Sequence, residues 1–179
     1  MLEAAIGVFR RYGYRKASMD DVARAAGVSR QGLYLMFSNK EELFRKALEH
    51  ALTGQLSAAL DVLSDASRNL DDRLIAACDE WAGRFVGSLG VDATDLMCAG
   101  MALAGDTLAA YGARFEQGLA AAIAESSLTK RCRHVGVEPG ELAKSLHATT
   151  RGLKQTSASR EEFSKGISAS VRMMCASLK

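Results

Sequence analysis

The chain has 179 residues, enough to bury a core of its own as one compact domain or two small ones. Its 23 Lys and Arg against 21 Asp and Glu leave a net charge of +2, which excludes a uniformly basic coating protein or an acidic tail and confines any nucleic-acid surface to one region. With 48% apolar and 25% charged residues the balance is globular. The longest apolar runs, such as residues 99–105, fall short of the roughly 20 needed to cross a bilayer, and the opening residues lack a leader pattern, so a cytoplasmic protein without membrane association is expected.

A single proline and abundant Ala and Leu favour helix along the whole chain, because these residues lose little entropy there and the breaker is nearly absent. An all-α fold is expected. Leu2, Ile6 and Phe9 fall at helical spacing, with Arg10 and Arg11 at the end the helix dipole favours and Gly13 as a stop. Beginning almost at Met1, this helix has no basic arm ahead of it, so poor minor-groove reach is expected. Ser18 with Asp21 makes a capping box for a short second helix that carries Val22, Ala23 and Ala26 and ends at Gly27. Ser29 opens a third, with Leu33, Tyr34 and Phe37. Ser38 with Glu41 opens a fourth, whose stripe of Phe44, Leu48, Leu52, Leu56, Leu60 and Leu63 predicts a rod of roughly 30 Å unless Gly54 breaks it.

Further helices are predicted near 70–89, 94–103, 106–128, 139–155 and 159–178, with Pro139 at a first-turn position and Ser159 with Glu162 as a third capping box. Cys78, Cys98, Cys132 and Cys175 show no paired spacing and read as free thiols. Cys132, between Arg131 and Arg133, is the one candidate for a reactive thiolate.

Residues 18–37 place a capped helix, a turn of Gly27, Val28 and Ser29, and a second short helix in succession, which is helix-turn-helix spacing. Val22, Ala23, Val28 and Leu33 would hold the pair at a steep angle, leaving the rest of the second helix facing outward. Its first turn offers Arg30, Gln31 and Gly32. In a major groove Arg pairs with guanine and Gln with adenine, while Gly32 either lets backbone approach a base edge or is simply a tolerated helix glycine. Residues 1–54 carry a net +3, so the modest basicity sits in this half.

Ala5, Phe9, Gly13 and Tyr14, followed by the continuous string from Ser18 through Gly27, Tyr34, Phe37 and Lys40 to Leu43, resemble the TetR family of transcriptional regulators. The resemblance covers roughly the first 50 residues. It implies an all-helical homodimer with one helix-turn-helix per subunit and a larger variable domain that binds a small ligand. Ser18 then matches the residue opening helix two, Tyr34 a phosphate-touching tyrosine and Lys40 the lysine opening helix four. Leu35 and Met36 depart from the pattern, since many members carry an aromatic residue and then a histidine or tyrosine there, and the departure removes two groups able to contact the DNA backbone or a thymine methyl.

The DNA-binding domain is therefore placed at 1–46, with contacts from Ser18, Ser29, Arg30, Gln31, Gly32, Tyr34 and Lys40. A helical ligand-binding and dimerisation domain is placed at 47–179. Gly83, Gly87 and Gly90 interrupt a helical stretch there, which suits close helix packing or a cavity. Trp81, Phe85, Met97, Met101, Leu108, Tyr111 and Phe115 form an apolar set with adaptable methionines, suited to a small-molecule pocket or to plain core. His147 and Arg151, four apart, would orient a polar ligand or form a surface pair. Leu142, Leu146, Thr149 and Leu153, with Phe163, Ile167, Val171, Met174 and Leu178, form two stripes suited to a dimer-forming four-helix bundle or to internal core.

Phosphate-loop, dinucleotide and zinc-protease signatures are absent, and His50, His134 and His147 show no metal-ligand spacing. Neither catalysis nor a cofactor is expected. The reading is a ligand-responsive regulator, a repressor released from its operator by a small molecule. The alternative is a helical small-molecule-binding or interaction protein with weakened DNA binding.

Overall fold

The computed structural model describes residues 1–87, 93–134 and 136–176. Leu89, Gly90 and Leu178, which figured in the expectations above, lie outside the described residues, as does the side chain of Arg131. Among the described residues all regular structure is helical: α1 (Leu2–Lys16), α2 (Met19–Ala26), α3 (Arg30–Met36), α4 (Lys40–Ser64), α5 (Leu70–Trp81), a 3-10 turn (Gly83–Phe85), α6 (Ala93–Ala124), α7 (Leu128–His134), α8 (Pro139–Thr156) and α9 (Arg160–Ala176). The fold is all-α, with an N-terminal helix-turn-helix and a C-terminal helical region.

The chain packs as two compact units. The first takes residues 1–54 and the part of α6 up to Ala110, and the second takes 55–87 and the chain from Tyr111 onward. A boundary after residue 46 would fall inside α4, whereas packing divides that helix after Gly54.

In the first unit, α1 to α4 close on Phe9, Val22, Leu33 and Leu43, all fully buried, with Ala99 of α6 at the margin. Phe9 meets Phe44 edge to face at 5.1 Å and Tyr14 lies 5.0 Å from Phe44. The helical path of α1 breaks at Gly13 (φ 76°, ψ 170°), a conformation essentially restricted to glycine. Asp95 of α6 accepts both the backbone N–H of Arg15 (2.8 Å) and its Nε–H (2.7 Å).

Helix α4 runs unbroken through Gly54, about 37 Å at 1.5 Å per residue. It starts one residue later than the expected box. Asn39 Oδ1 accepts the Glu42 N–H (2.9 Å), and the Glu42 carboxylate accepts the Ser38 N–H (2.8 Å) and hydroxyl (2.5 Å). Asn and Ser cap about equally well, so Ser38/Glu41 and Asn39/Glu42 compete and the structure uses the second. The Ser159 cap forms as expected, its hydroxyl accepting the Glu162 N–H at 3.2 Å.

Three further elements differ from expectation. The helix predicted at 70–89 ends as α5 at Trp81, where Ala82 leaves helical geometry (φ −136°, ψ −41°) and a 3-10 turn follows. The segments 94–103 and 106–128 merge into α6, kinked at Ala104 (φ −146°, ψ 29°), and α7 forms separately after Ser126 accepts the Leu128 N–H at 3.2 Å. The merged α6 is also long and apolar enough to cross a membrane, with mean hydropathy 1.2 in its most apolar window. This corrects the expectation that no such stretch exists, which rested on uninterrupted apolar runs. Length and composition alone assign no membrane, and Phe115, Leu119 and Ile123 of this helix are fully buried in the second unit.

The second unit gathers the latter half of α4 with α5, the latter half of α6, α7, α8 and α9. Trp81 stacks on Phe115 at 4.9 Å. Leu146, Phe163, Ile167 and Val171 are fully buried, and Leu153 seats on Gly166, where a Cβ would lie 2.9 Å from its methyls. These buried members of the α8 and α9 stripes build internal core, whereas Leu142, Thr149, Leu153 and Met174 are half-buried. None of the four cysteines is in a disulfide. Cys132 is buried and burial raises its thiol pKa, the opposite of a reactive thiolate; the Cys78 thiol is pushed up to about 12 in the same way.

Candidate nucleic-acid interface

Ser18 opens α2 with a complete capping box. Its hydroxyl accepts the Asp21 N–H at 3.2 Å and donates to the Asp21 carboxylate at 2.5 Å, while its backbone N–H reaches that carboxylate at 3.0 Å. These bonds hold the Asp21 carboxyl below its ordinary value. Gly27 stops α2 in the left-handed region (φ 68°, ψ 27°) and Val28 N–H returns to Ala23 O at 3.0 Å, so the chain turns without helical continuation. Ser29 then caps α3 by accepting the Gly32 N–H at 3.0 Å.

Leu33 is the buried anchor of α3. Arg30, Gln31, Tyr34, Leu35 and Met36 are exposed. Arg30 pairs with Asp20 at 3.0 Å, and its guanidinium lies 5.6 Å from the Tyr34 ring centroid. The helix thus presents a guanidinium, an amide and a phenol from one capped, anchored element, the groups that read base edges and grip phosphates.

The expected contact residues divide by what their polar groups already do. Arg30, Gln31 and Tyr34 stand outward. The Ser18 and Ser29 hydroxyls serve caps. Gly32 has a local reason to lack a side chain, since a Cβ would lie 3.1 Å from Ser29 Oγ. Lys40 does not point away from the domain: its ammonium donates to the carbonyls of Tyr14 (3.0 Å), Arg15 (3.2 Å) and Ala17 (3.1 Å) and lies 4.6 Å from the Tyr14 ring centroid. It closes the end of α1, and a phosphate contact would require exchange of one of these bonds. Sequence reasoning missed Asp20 as the partner of Arg30, a pairing across the turn that ten residues of separation conceal. It also assigned no role to Leu35.

The expected ligand set also divides. Met97, Met101 and Leu108 belong to the first unit, where both methionines are exposed. In the second, Trp81 and Phe115 surround His147 with ring centroids 6.3 and 5.6 Å away, and His147 Nδ1 lies 3.0 Å from the Glu116 carboxylate. Phe85 is half-buried with Lys154 Nζ 6.0 Å from its ring, Tyr111 has the Arg114 guanidinium 5.5 Å from its centroid, and Arg151 is exposed. Among the described residues, one cleft of about 460 Å³ lies beside Tyr14, Arg15, Asp95 and Cys98 and another of about 340 Å³ beside Leu70, Leu128 and Arg172. None of the expected ligand residues lines either one.

Residues 1–47, which contain this whole interface, match the profile of the bacterial regulatory proteins of the tetR family. Over these residues the chain carries a tetR-type N-terminal domain. Among curated TetR-like relatives it is 36% identical to the uncharacterised HTH-type regulator YfiR of Bacillus subtilis (41% of this chain, 44% of the relative). It is 32% identical to IcaR of Staphylococcus epidermidis, named as a negative regulator of a biofilm operon (28% and 27%), and 38% identical to the activator FasR of Mycolicibacterium smegmatis (44% and 36%). The matched stretch is less than half the length of each. Along 98% of the chain, the fold matches 95% of a transcriptional regulator structure from Rhodococcus at TM-score 0.74 and 20% identity.

Proposed function

We propose that the protein is a dimeric, ligand-responsive DNA-binding transcriptional regulator of the bacterial cytoplasm, a repressor released from its operator by a small molecule. One observation carries the reading: α3 is capped by Ser29, anchored by Leu33, and turns Arg30, Gln31 and Tyr34 outward. Arg30 and Gln31 are the base readers, and Tyr34 grips phosphate. Repression is the sign that the name of IcaR supports, whereas FasR supports activation. A reporter carrying the operator decides between them.

The ligand is taken around Trp81, Phe115 and His147, where expected pocket residues meet the His147–Glu116 pair. Because the buried members of the α8 and α9 stripes are occupied internally, dimerisation uses the exposed faces of these helices, with Ala148 and Gly152 on α8 and Ala169 and Met173 on α9. Light scattering at micromolar concentration should then give twice the chain mass. The deciding experiment selects duplexes from a random pool with the full chain and titrates salt. The reading requires a selected motif with two-fold symmetry and an affinity that falls as salt rises; recovery of unselected sequences alone would overturn it.

A further inference from the structure

We infer that Leu35 is a sequence-determining residue that recognises the 5-methyl group of a thymine, an inference resting on the DNA-binding reading above. Leu35 is 82% exposed, the most exposed large apolar side chain among the described residues. A single leucine in water is ordinary; its position is not. It lies four residues after Gln31, so both side chains occupy one face of α3, and it directly follows Tyr34, whose ring adjoins Arg30. The opposite face is closed by fully buried Leu33, which fixes the direction in which Leu35 projects. The surface that offers a guanidinium and an amide to base edges therefore offers a branched apolar tip in the same helical row.

Major-groove base edges present hydrogen-bond donors and acceptors and one apolar group, the thymine methyl. An isobutyl side chain has no polar atom with which to discriminate the others. Packed on that methyl it removes apolar surface from water on both partners. Loss of one buried methyl corresponds to about a fourfold change in affinity. Leu35 thus adds a preference for thymine within about two base steps of the pair contacted by Gln31, the roughly 6 Å that four helical residues span. Met36, the next residue, lies about 100° around the helix from Leu35 and serves as an internal control.

The test uses the full-length protein and the duplex selected from the random pool. Each thymine is replaced in turn by deoxyuridine, which deletes the methyl while keeping every hydrogen-bonding group and charge. The expected result is one position per half-site at which the wild type loses affinity about fourfold. Leu35→Ala binds the thymine duplex correspondingly less well and shows no further loss with deoxyuridine there. Leu35→Met and Met36→Ala retain the sensitivity. A full deoxyuridine effect in Leu35→Ala, or no effect at any thymine in the wild type, overturns the role of Leu35 and leaves the DNA-binding reading standing. Failure to select any duplex overturns both. The site is exposed, so the melting temperature of Leu35→Ala should equal that of the wild type.

Discussion

The Lys40 ammonium lies 3.0 Å from the carbonyl oxygen of Tyr14 and 4.6 Å from the centre of the same residue's ring. One cation thereby closes the carbonyl end of α1 and covers an aromatic ring packed on Phe44, joining the first helix of the domain to the fourth. Lys40→Ala should destabilise the chain by roughly 1.5–3 kcal/mol, the range for hydrogen bonds to a charged group, with the loss read from denaturant unfolding. Affinity should fall for all duplexes, while the slope of log affinity against log salt stays close to wild type. Wild-type stability together with a shallower slope would return Lys40 to the role of a phosphate contact.

Arg30→Ala and Gln31→Ala act differently, because both side chains point outward from a helix anchored by Leu33. Each should reduce discrimination between the selected motif and its single-base variants by roughly 1–3 kcal/mol, with melting temperatures unchanged. Asp20→Asn removes the carboxylate 3.0 Å from Arg30 and should raise affinity for every duplex. Competitive binding across a panel of single-base variants separates the three.

Acid should unfold the protein through its capping carboxylates. Asp21 and Glu42 are held below their ordinary values by hydrogen bonds from Ser18 and Ser38, and Asp95 by the backbone N–H of Arg15. A depressed carboxyl contributes stability above its unfolded value and loses it as pH falls through the folded one. The melting temperature should therefore stay flat from neutral pH to about 5 and decline below about 4. Asp21→Asn should be less stable at neutral pH and show a shallower acid decline.

Two glycines should respond in opposite directions to alanine. Gly54 lies exposed inside α4 with nothing within 4 Å of a new Cβ, so Gly54→Ala should stabilise by about 0.5–1 kcal/mol. Gly83→Ala would press on the Phe163 ring, which is fully buried and closely surrounded, at a cost of roughly 1–3 kcal/mol. Thermal unfolding of the two variants beside wild type measures both.

Much of the first domain was legible because its signals are local. Ser18 with Asp21, Gly27 and Ser29 state their own caps, and the spacing of Leu33 states which side of α3 is buried. Lys40 was not legible, since its partners lie more than twenty residues away and are backbone carbonyls that carry no sequence signature. The start of α4 slipped by one residue because Ser38 and Asn39 each offer a valid cap. In the second half, apolar periodicity identified Phe163, Ile167 and Val171 as one face of α9, yet periodicity is the same for a face that meets its own chain and one that meets another. The kink at Ala104 and the separate α7 depend on packing that no local pattern encodes.

Within α3, Leu33 alone is buried, and the start of the helix is set by one serine hydroxyl and a glycine turn. What the helix reads is thus separate from what keeps it in place. A library varying Arg30, Gln31, Tyr34, Leu35 and Met36 while keeping Gly27, Ser29, Gly32 and Leu33 would leave the foundations untouched. The domain is in that sense a chassis whose operator preference can be rewritten, side chain by side chain, without redesign of its interior.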